Sequence, residues 1–101
     1  MNEDIQATFM HRFTSLARTR VSHALDATSR RDPAALAVVI RDMHSLAGEA
    51  GLLGLAEVVP LARSGEDRAR HLAGAPSPEA ADEMLGVLRA LEQLVERLAA
   101  G

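Results

Sequence analysis

Residues 32–51 read DPAALAVVIRDMHSLAGEAG, and this stretch decides the fold. Asp32 followed by Pro33 is a strong helix start. The aspartate can cap the free N–H groups of the first turn, and proline costs nothing at the first helical position, where its missing N–H would have no partner anyway. At about 100° of rotation per residue, Leu36, Val39, Ile40, Met43, Leu46, Ala47 and Ala50 cover one continuous apolar arc. His44 falls outside that arc, on its flank. Arg41, Gly48 and Gly51 share the flank at spacings i−3, i+4 and i+7. The pattern predicts an amphipathic helix over 33–51 with His44 facing solvent and bare backbone one turn beyond it.

Reading outward, a first helix is predicted over about residues 4–28, with Ile5, Phe9, Phe13, Leu16, Ala17, Val21, Ala24 and Leu25 as its apolar face. The polar run Ser29-Arg30-Arg31 breaks it. Downstream, Gly51-Leu52-Leu53-Gly54 reads as a tight turn. A third helix is predicted over 55–72, with Leu55, Val58, Val59, Ala62 and Ala69 on one side. Pro60 inside it should clash with the carbonyl of Ala56 and produce a kink or an irregular first turn, and Gly65 weakens the segment further. After the loop at 73–76, Ser77-Pro78 repeats the cap-plus-proline start. A fourth helix over 78–98 carries Ala81, Met84, Leu85, Leu88, Leu91, Val95 and Leu98 as its stripe. No segment alternates with period two. Four amphipathic helices with short connections predict one all-α domain over residues 1–101, an antiparallel up-down-up-down bundle with His44 on the second main helix.

Composition narrows the function. With 101 residues the chain can bury one core and cannot hold a cofactor domain beside a substrate domain. Hydrophobic residues at 48% and charged residues at 25% are a globular balance, while aromatics at 2% leave the core to Leu, Val, Ile, Met and Ala. The net charge of −3 comes without a basic stripe, which argues against nucleic acid as a partner. The absence of cysteine excludes a disulfide framework, a thiolate zinc site and a cysteine nucleophile. Every basic residue other than histidine is arginine, a bias that points to a bacterial source. Met1-Asn2-Glu3-Asp4 does not open a signal peptide, and no apolar run reaches the roughly 18–20 residues that span a membrane, so a cytoplasmic address is expected.

The chemistry gathers on His44. A mid-helix glycine costs about 0.8–1 kcal/mol relative to alanine, and Gly48 stands one turn after His44, where any side chain would lie beside the imidazole. The alternative use of Gly48, close packing against another helix, is disfavoured by its place off the apolar arc. A histidine on a convex helix with small neighbours can be approached by a large partner site. Neutral imidazole is nucleophilic near neutral pH and can take up and release a phosphoryl group. The acid nearest in sequence on this side, Glu49, lies further round the helix. His11, His23 and His71 read as surface residues, and no His-Glu-x-x-His or comparable cluster suggests a metal. Arg63, Glu66, Asp67, Arg68 and Arg70 form a mixed charge run that reads as a solvated helix face.

The run His44-Ser45-Leu46-Ala47-Gly48-Glu49-Ala50-Gly51-Leu52-Leu53-Gly54-Leu55 resembles the signature of histidine-containing phosphotransfer (HPt) domains. His44 matches the phosphorylated histidine, Leu46 the buried leucine, Gly48 the glycine one turn on and Gly54 the glycine before the next helix. Two positions depart. Ala47 stands where the family usually has lysine, so a cation often placed near the phosphoryl group is missing; Arg41, on the same flank, can supply charge from the other side. The third helix, with Pro60 and Gly65, departs as well.

The resemblance implies a phosphorelay intermediate. A receiver domain bearing phospho-aspartate, or a hybrid histidine kinase, would be the partner. Receivers would supply Mg²⁺, and the domain, with no cofactor of its own and no glycine-rich ATP loop, would carry phosphate on His44 without kinase activity. Arg41, Ser45, Ala47, Gly48 and Gly51 are the expected docking and access residues, and a closed bundle is expected to be monomeric. A non-phosphorylated adaptor of the same fold is the alternative, supported by Ala47 alone. The dimerisation domain of a histidine kinase fits less well, because Ser45-Leu46-Ala47 lacks the acidic residue and Arg/Lys-Thr-Pro stretch that usually follow its histidine.

Overall fold

Both proline-containing starts form as the local chemistry requires. In the computed structural model, which describes residues 3–101, Asp32 has extended backbone angles (φ −75°, ψ 120°) and its carboxylate accepts from the Ala34 N–H at 3.0 Å. It opens helix α2, Pro33–Leu52. The Ser77 hydroxyl accepts from the Ala80 N–H at 3.0 Å and opens α4, Pro78–Ala100. Helix α1 spans Glu3–Arg30 and α3 spans Val58–Gly74. Met1 and Asn2, part of the stretch read for a signal peptide, lie outside the described residues.

The breaks have local causes. Helix α1 runs two residues past the predicted end and stops at Arg31, whose φ of 54° turns the chain into the left-handed region while its N–H still donates to the Ala27 carbonyl at 2.8 Å. Helix α2 ends in a Schellman arrangement: Leu55 N–H donates to Ala50 O at 2.9 Å and Gly54 N–H to Gly51 O at 3.2 Å. Gly54 has φ 72°, a conformation that glycine adopts without a Cβ penalty.

The predicted helix over 55–72 starts later than its apolar spacing suggests. Residues 55–57 form a turn, with Val58 N–H on Leu55 O at 3.0 Å, and the helix begins at Val58. Pro60 is therefore its third residue. Its missing N–H is among those that have no helical partner, and Ala56, whose carbonyl it was expected to meet, lies outside the helix. The irregularity sits before the helix rather than as a kink within it.

Each helix packs on the next in sequence, and α4 returns to α1. The enclosed core contains Phe13, Val21, Val39, Met43, Leu46, Val58, Met84, Leu88 and Leu91, with fully buried Ala17, Ala24, Ala27, Ala50, Ala62 and Ala69 letting the helices approach closely. Leu36, Leu72, Ala80 and Ala81 form a second small cluster. Described residues span 46 × 20 × 19 Å. They include four helices and no strand, and none of the helices is long and apolar enough to cross a membrane.

One part of the predicted core is outside it. Ile5, Phe9 and Leu16 are 41–45% exposed. They lie on one edge of the α1 arc, and Phe9 and Leu16 border a groove with Leu52 and Leu53 at the end of α2 instead of entering the interior.

Candidate functional site

Met43 and His44 are neighbours with opposite surroundings. Met43 is fully buried between α2 and α3, which fixes the rotation of α2 about its axis. One step round the helix, the His44 side chain is 78% exposed. Arg41, Ser45, Gly48 and Gly51 are exposed on the same helix. A Cβ added at Gly48 or Gly51 would meet nothing within 4 Å, so the surface one and two turns beyond His44 is open. Ala47 does not belong with these access residues. It is 7% exposed and part of the core, as its place on the apolar arc requires.

The structure adds a partner from α3. Glu66 Oε1 lies 3.2 Å from His44 Nδ1, and Glu66 Oε2 accepts from Arg70 Nη2 at 2.8 Å. One carboxylate thus holds an imidazole with one oxygen and a guanidinium with the other. The Glu66 side chain is only 14% exposed, so the charge run on α3 is not uniformly a solvated face. Arg68 stays exposed, as that description requires, and pairs across the surface with Glu83 of α4 at 2.6 Å. Glu49, the acid singled out from the sequence, points toward α1, where Arg20 Nη1 reaches both of its carboxylate oxygens at 3.0 Å. The acid beside His44 is Glu66.

Gly65 brings Glu66 into range. A Cβ there would lie 3.0 Å from Met43 Sδ and 3.3 Å from Met43 Cγ, so α3 approaches α2 at a distance only glycine allows without rearrangement. His44 and Glu66 follow Met43 and Gly65 by one residue each. The close approach that seals the core thus places the carboxylate against the imidazole at the rim.

The Arg70 hydrogen bond, followed by the bond and charge of His44, holds the Glu66 carboxyl below its ordinary range despite the opposing effect of burial. Glu66 is therefore ionised near neutral pH. An ionised carboxylate only accepts hydrogen bonds, so the neutral imidazole must carry its proton on Nδ1. Nε2 is left with a free lone pair. In its neutral form the ring thus offers an unprotonated Nε2 with the proton on the far side, beside a carboxylate able to stabilise positive charge that develops there.

His11 and His71 are exposed, as expected. His23 is half-buried and has Asp42 Oδ2 at 3.9 Å, beyond hydrogen-bond range. Among the described residues no three His, Asp or Glu side chains come together to hold a metal ion. About two turns along α2 from His44, Leu52 is 90% exposed; with Phe9, Leu16 and Leu53 it borders the apolar groove, where Arg12 and Glu49 supply the polar edge.

Residues 8–101 match the family model of the Hpt domain. No curated protein and no solved structure matches the chain.

Proposed function

The chain belongs to the Hpt domain family, whose members carry phosphoryl groups in phosphorelays, and on that premise we propose that His44 accepts a phosphoryl group from the phospho-aspartate of one receiver domain and passes it to the aspartate of another. The observation that carries this reading is the combination of a 78% exposed imidazole with an Nδ1 tied to Glu66, which turns the Nε2 lone pair outward.

The step needs no base on this chain. The Nε2 lone pair attacks phosphorus in line. The P–O bond to the receiver's aspartate breaks, its electrons return to the carboxylate, and the N–P bond forms. No proton leaves Nε2, because none was there. The ring gains positive charge while keeping its proton on Nδ1, and the Glu66 carboxylate stabilises that charge. Transfer onward is the same displacement in reverse, with a second aspartate as nucleophile. The open surface over Gly48 and Gly51 supports docking of a receiver across α2, with Arg41 and Ser45 beside it. Within this proposal the receivers supply Mg²⁺, the chain acts as a monomeric cytoplasmic carrier without kinase activity, and its helices run up-down-up-down, as their short connections suggest. The adaptor reading has no support beyond Ala47.

The test is incubation of the chain with a receiver phosphorylated by a small-molecule acyl phosphate. The expected result is acid-labile phosphate on Nε2 of His44, lost in His44→Gln with little change in melting temperature. Label on His11, His23 or His71, or on Nδ1 of His44, would overturn the assignment.

A further inference from the structure

Helix α1 carries a second row of large side chains beside the one that enters the core. Ile5, Phe9, Arg12 and Leu16 follow at steps of four, three and four residues, the spacing of a seam between two helices. All four are exposed. Leu52 stands level with the middle of this row, because it borders grooves on both sides of Phe9, one reaching Gln6 and the other Arg12 and Leu16. The large apolar side chains that are exposed among the described residues, Ile5, Phe9, Leu16, Leu52 and Leu53, thus all gather on one patch. Scattered exposed leucines are ordinary, whereas a contiguous apolar patch with a polar rim marks an association surface. We propose that its occupant is a second copy of this chain, seated α1 against α1 in antiparallel sense about a two-fold axis level with residues 10 and 11.

The patch is complementary to its own reverse, which a two-fold interface requires because the same surface lies on both sides. Steps of four, three and four read alike in both directions. Antiparallel pairing about the centre sets Ile5 against Leu16 of the other copy at each end. In the middle it sets Phe9 against Arg12 of the other copy, so that two guanidinium groups meet two ring faces. The groove's rim carries one charge of each sign, Arg12 and Glu49, and Thr8, Ser15 and Thr19 beside the row are uncharged, so two copies meet without an excess of one sign. Size sets the strength. A standard interface takes about 800 Å² from each partner. This patch supplies less, which makes the dimer weak and reversible, with a dissociation constant above about 1 μM. Seated there, the second copy also covers Leu52, the residue after Gly51, on the surface over which a receiver would approach. The monomer is then the form that transfers phosphate, and the dimer is closed to receivers.

The test is sedimentation equilibrium of the full chain between about 10 μM and about 1 mM, a range that spans weak association. The average mass should rise with concentration from that of one chain toward that of two. Leu52 is 90% exposed, so Leu52→Ser leaves the folded core intact, and it should raise the dissociation constant by about tenfold or more. The register is read by disulfide cross-linking, which is clean because the chain has no cysteine of its own. Ile5→Cys and Leu16→Cys, mixed at high concentration under an oxidant, should cross-link to each other faster than either cross-links to itself. A mass of one chain throughout the range would overturn the proposal, and so would association that Leu52→Ser leaves unchanged. Preferential cross-linking of Ile5→Cys to itself would overturn the antiparallel pairing. Neither measurement uses a receiver, so failure of phosphotransfer would count against the functional reading alone.

Discussion

Gly48 and Gly65 both lie within continuous helices, and their surroundings are opposite. A Cβ at Gly48 would have no atom within 4 Å, whereas one at Gly65 would meet Met43 at 3.0 Å. The first glycine keeps a surface open and the second lets two helices close on each other. Helix propensity penalises both equally, so the penalty alone does not reveal the use. The partner helix decides it, and the two uses meet at one site: Gly65 brings Glu66 to His44, and Gly48 leaves the other side of His44 accessible.

The largest expected effect breaks the open side. Gly48→Gln should reduce phosphotransfer by roughly a hundredfold, because a receiver must stand off from Nε2 or displace the new side chain. The same substitution should raise stability by about 0.5–1 kcal/mol, since glutamine is the better helix former and nothing crowds the position. Single-turnover kinetics beside a denaturant midpoint would check both. A stable variant with full activity would show that receivers do not approach over Gly48.

Next is the closed side. Gly65→Leu overpacks a seam in which Met43 is fully buried, and it should cost about 1–3 kcal/mol in chemical denaturation. It should also separate Glu66 from His44, so the Nδ1 proton of the folded variant should exchange with solvent faster. An unchanged midpoint would mean that the seam can open without cost.

A smaller effect sharpens the contrast. Gly48→Ala should gain about 0.8–1 kcal/mol and leave transfer within about twofold, because a methyl group at an open position is too short to obstruct docking. Inactivity of this variant would place the receiver's backbone directly against α2.

The smallest effect is a pH dependence. The folded Glu66 carboxyl is held low, first by Arg70 and then by His44. Such a group adds stability at pH values above the ordinary carboxylate range, about 4.3, and that contribution is lost as pH falls through its lower folded value. Between about pH 5 and pH 3 the wild type should lose slightly more stability than Glu66→Gln. Parallel denaturation curves for the two proteins would show that the carboxylate adds nothing.

What the sequence reveals follows the distance over which each cause acts. The Asp32 and Ser77 caps, the α2 arc and the exposure of His44 depend on residues within a few positions of one another, and periodicity is enough to place them. The start of α3 is not legible in the same way, because apolar spacing continues through 55–57, whereas Pro60 favours the first turn and the Gly54 ending consumes the residues before it. Ile5, Phe9 and Leu16 satisfy the helical period but lie on the edge of the arc. Glu66 and Arg70 escape a reading of local pattern because their role depends on how α3 is set against α2. Their i,i+4 spacing and the glycine immediately before Glu66 are the available signals. His44 and Glu66 also stand equally far from the connection over 53–57, a clue that becomes usable only once the two helices are known to pack as neighbours.

The extents of 46 × 20 × 19 Å have a consequence for how the molecule tumbles. A rod more than twice as long as it is wide rotates about its long axis faster than it turns end over end. Helical N–H bonds lie nearly along that axis and sense mainly the slower rotation, whereas those in the connections at 53–57 and 75–77 point in other directions. Amide relaxation should therefore divide into two classes even in a rigid molecule, with higher R2/R1 ratios in the helices. Fitting such data with isotropic tumbling would mistake this anisotropy for microsecond exchange along α2, so any mobility assigned to His44 before and after phosphorylation must first be referred to an axially symmetric diffusion tensor.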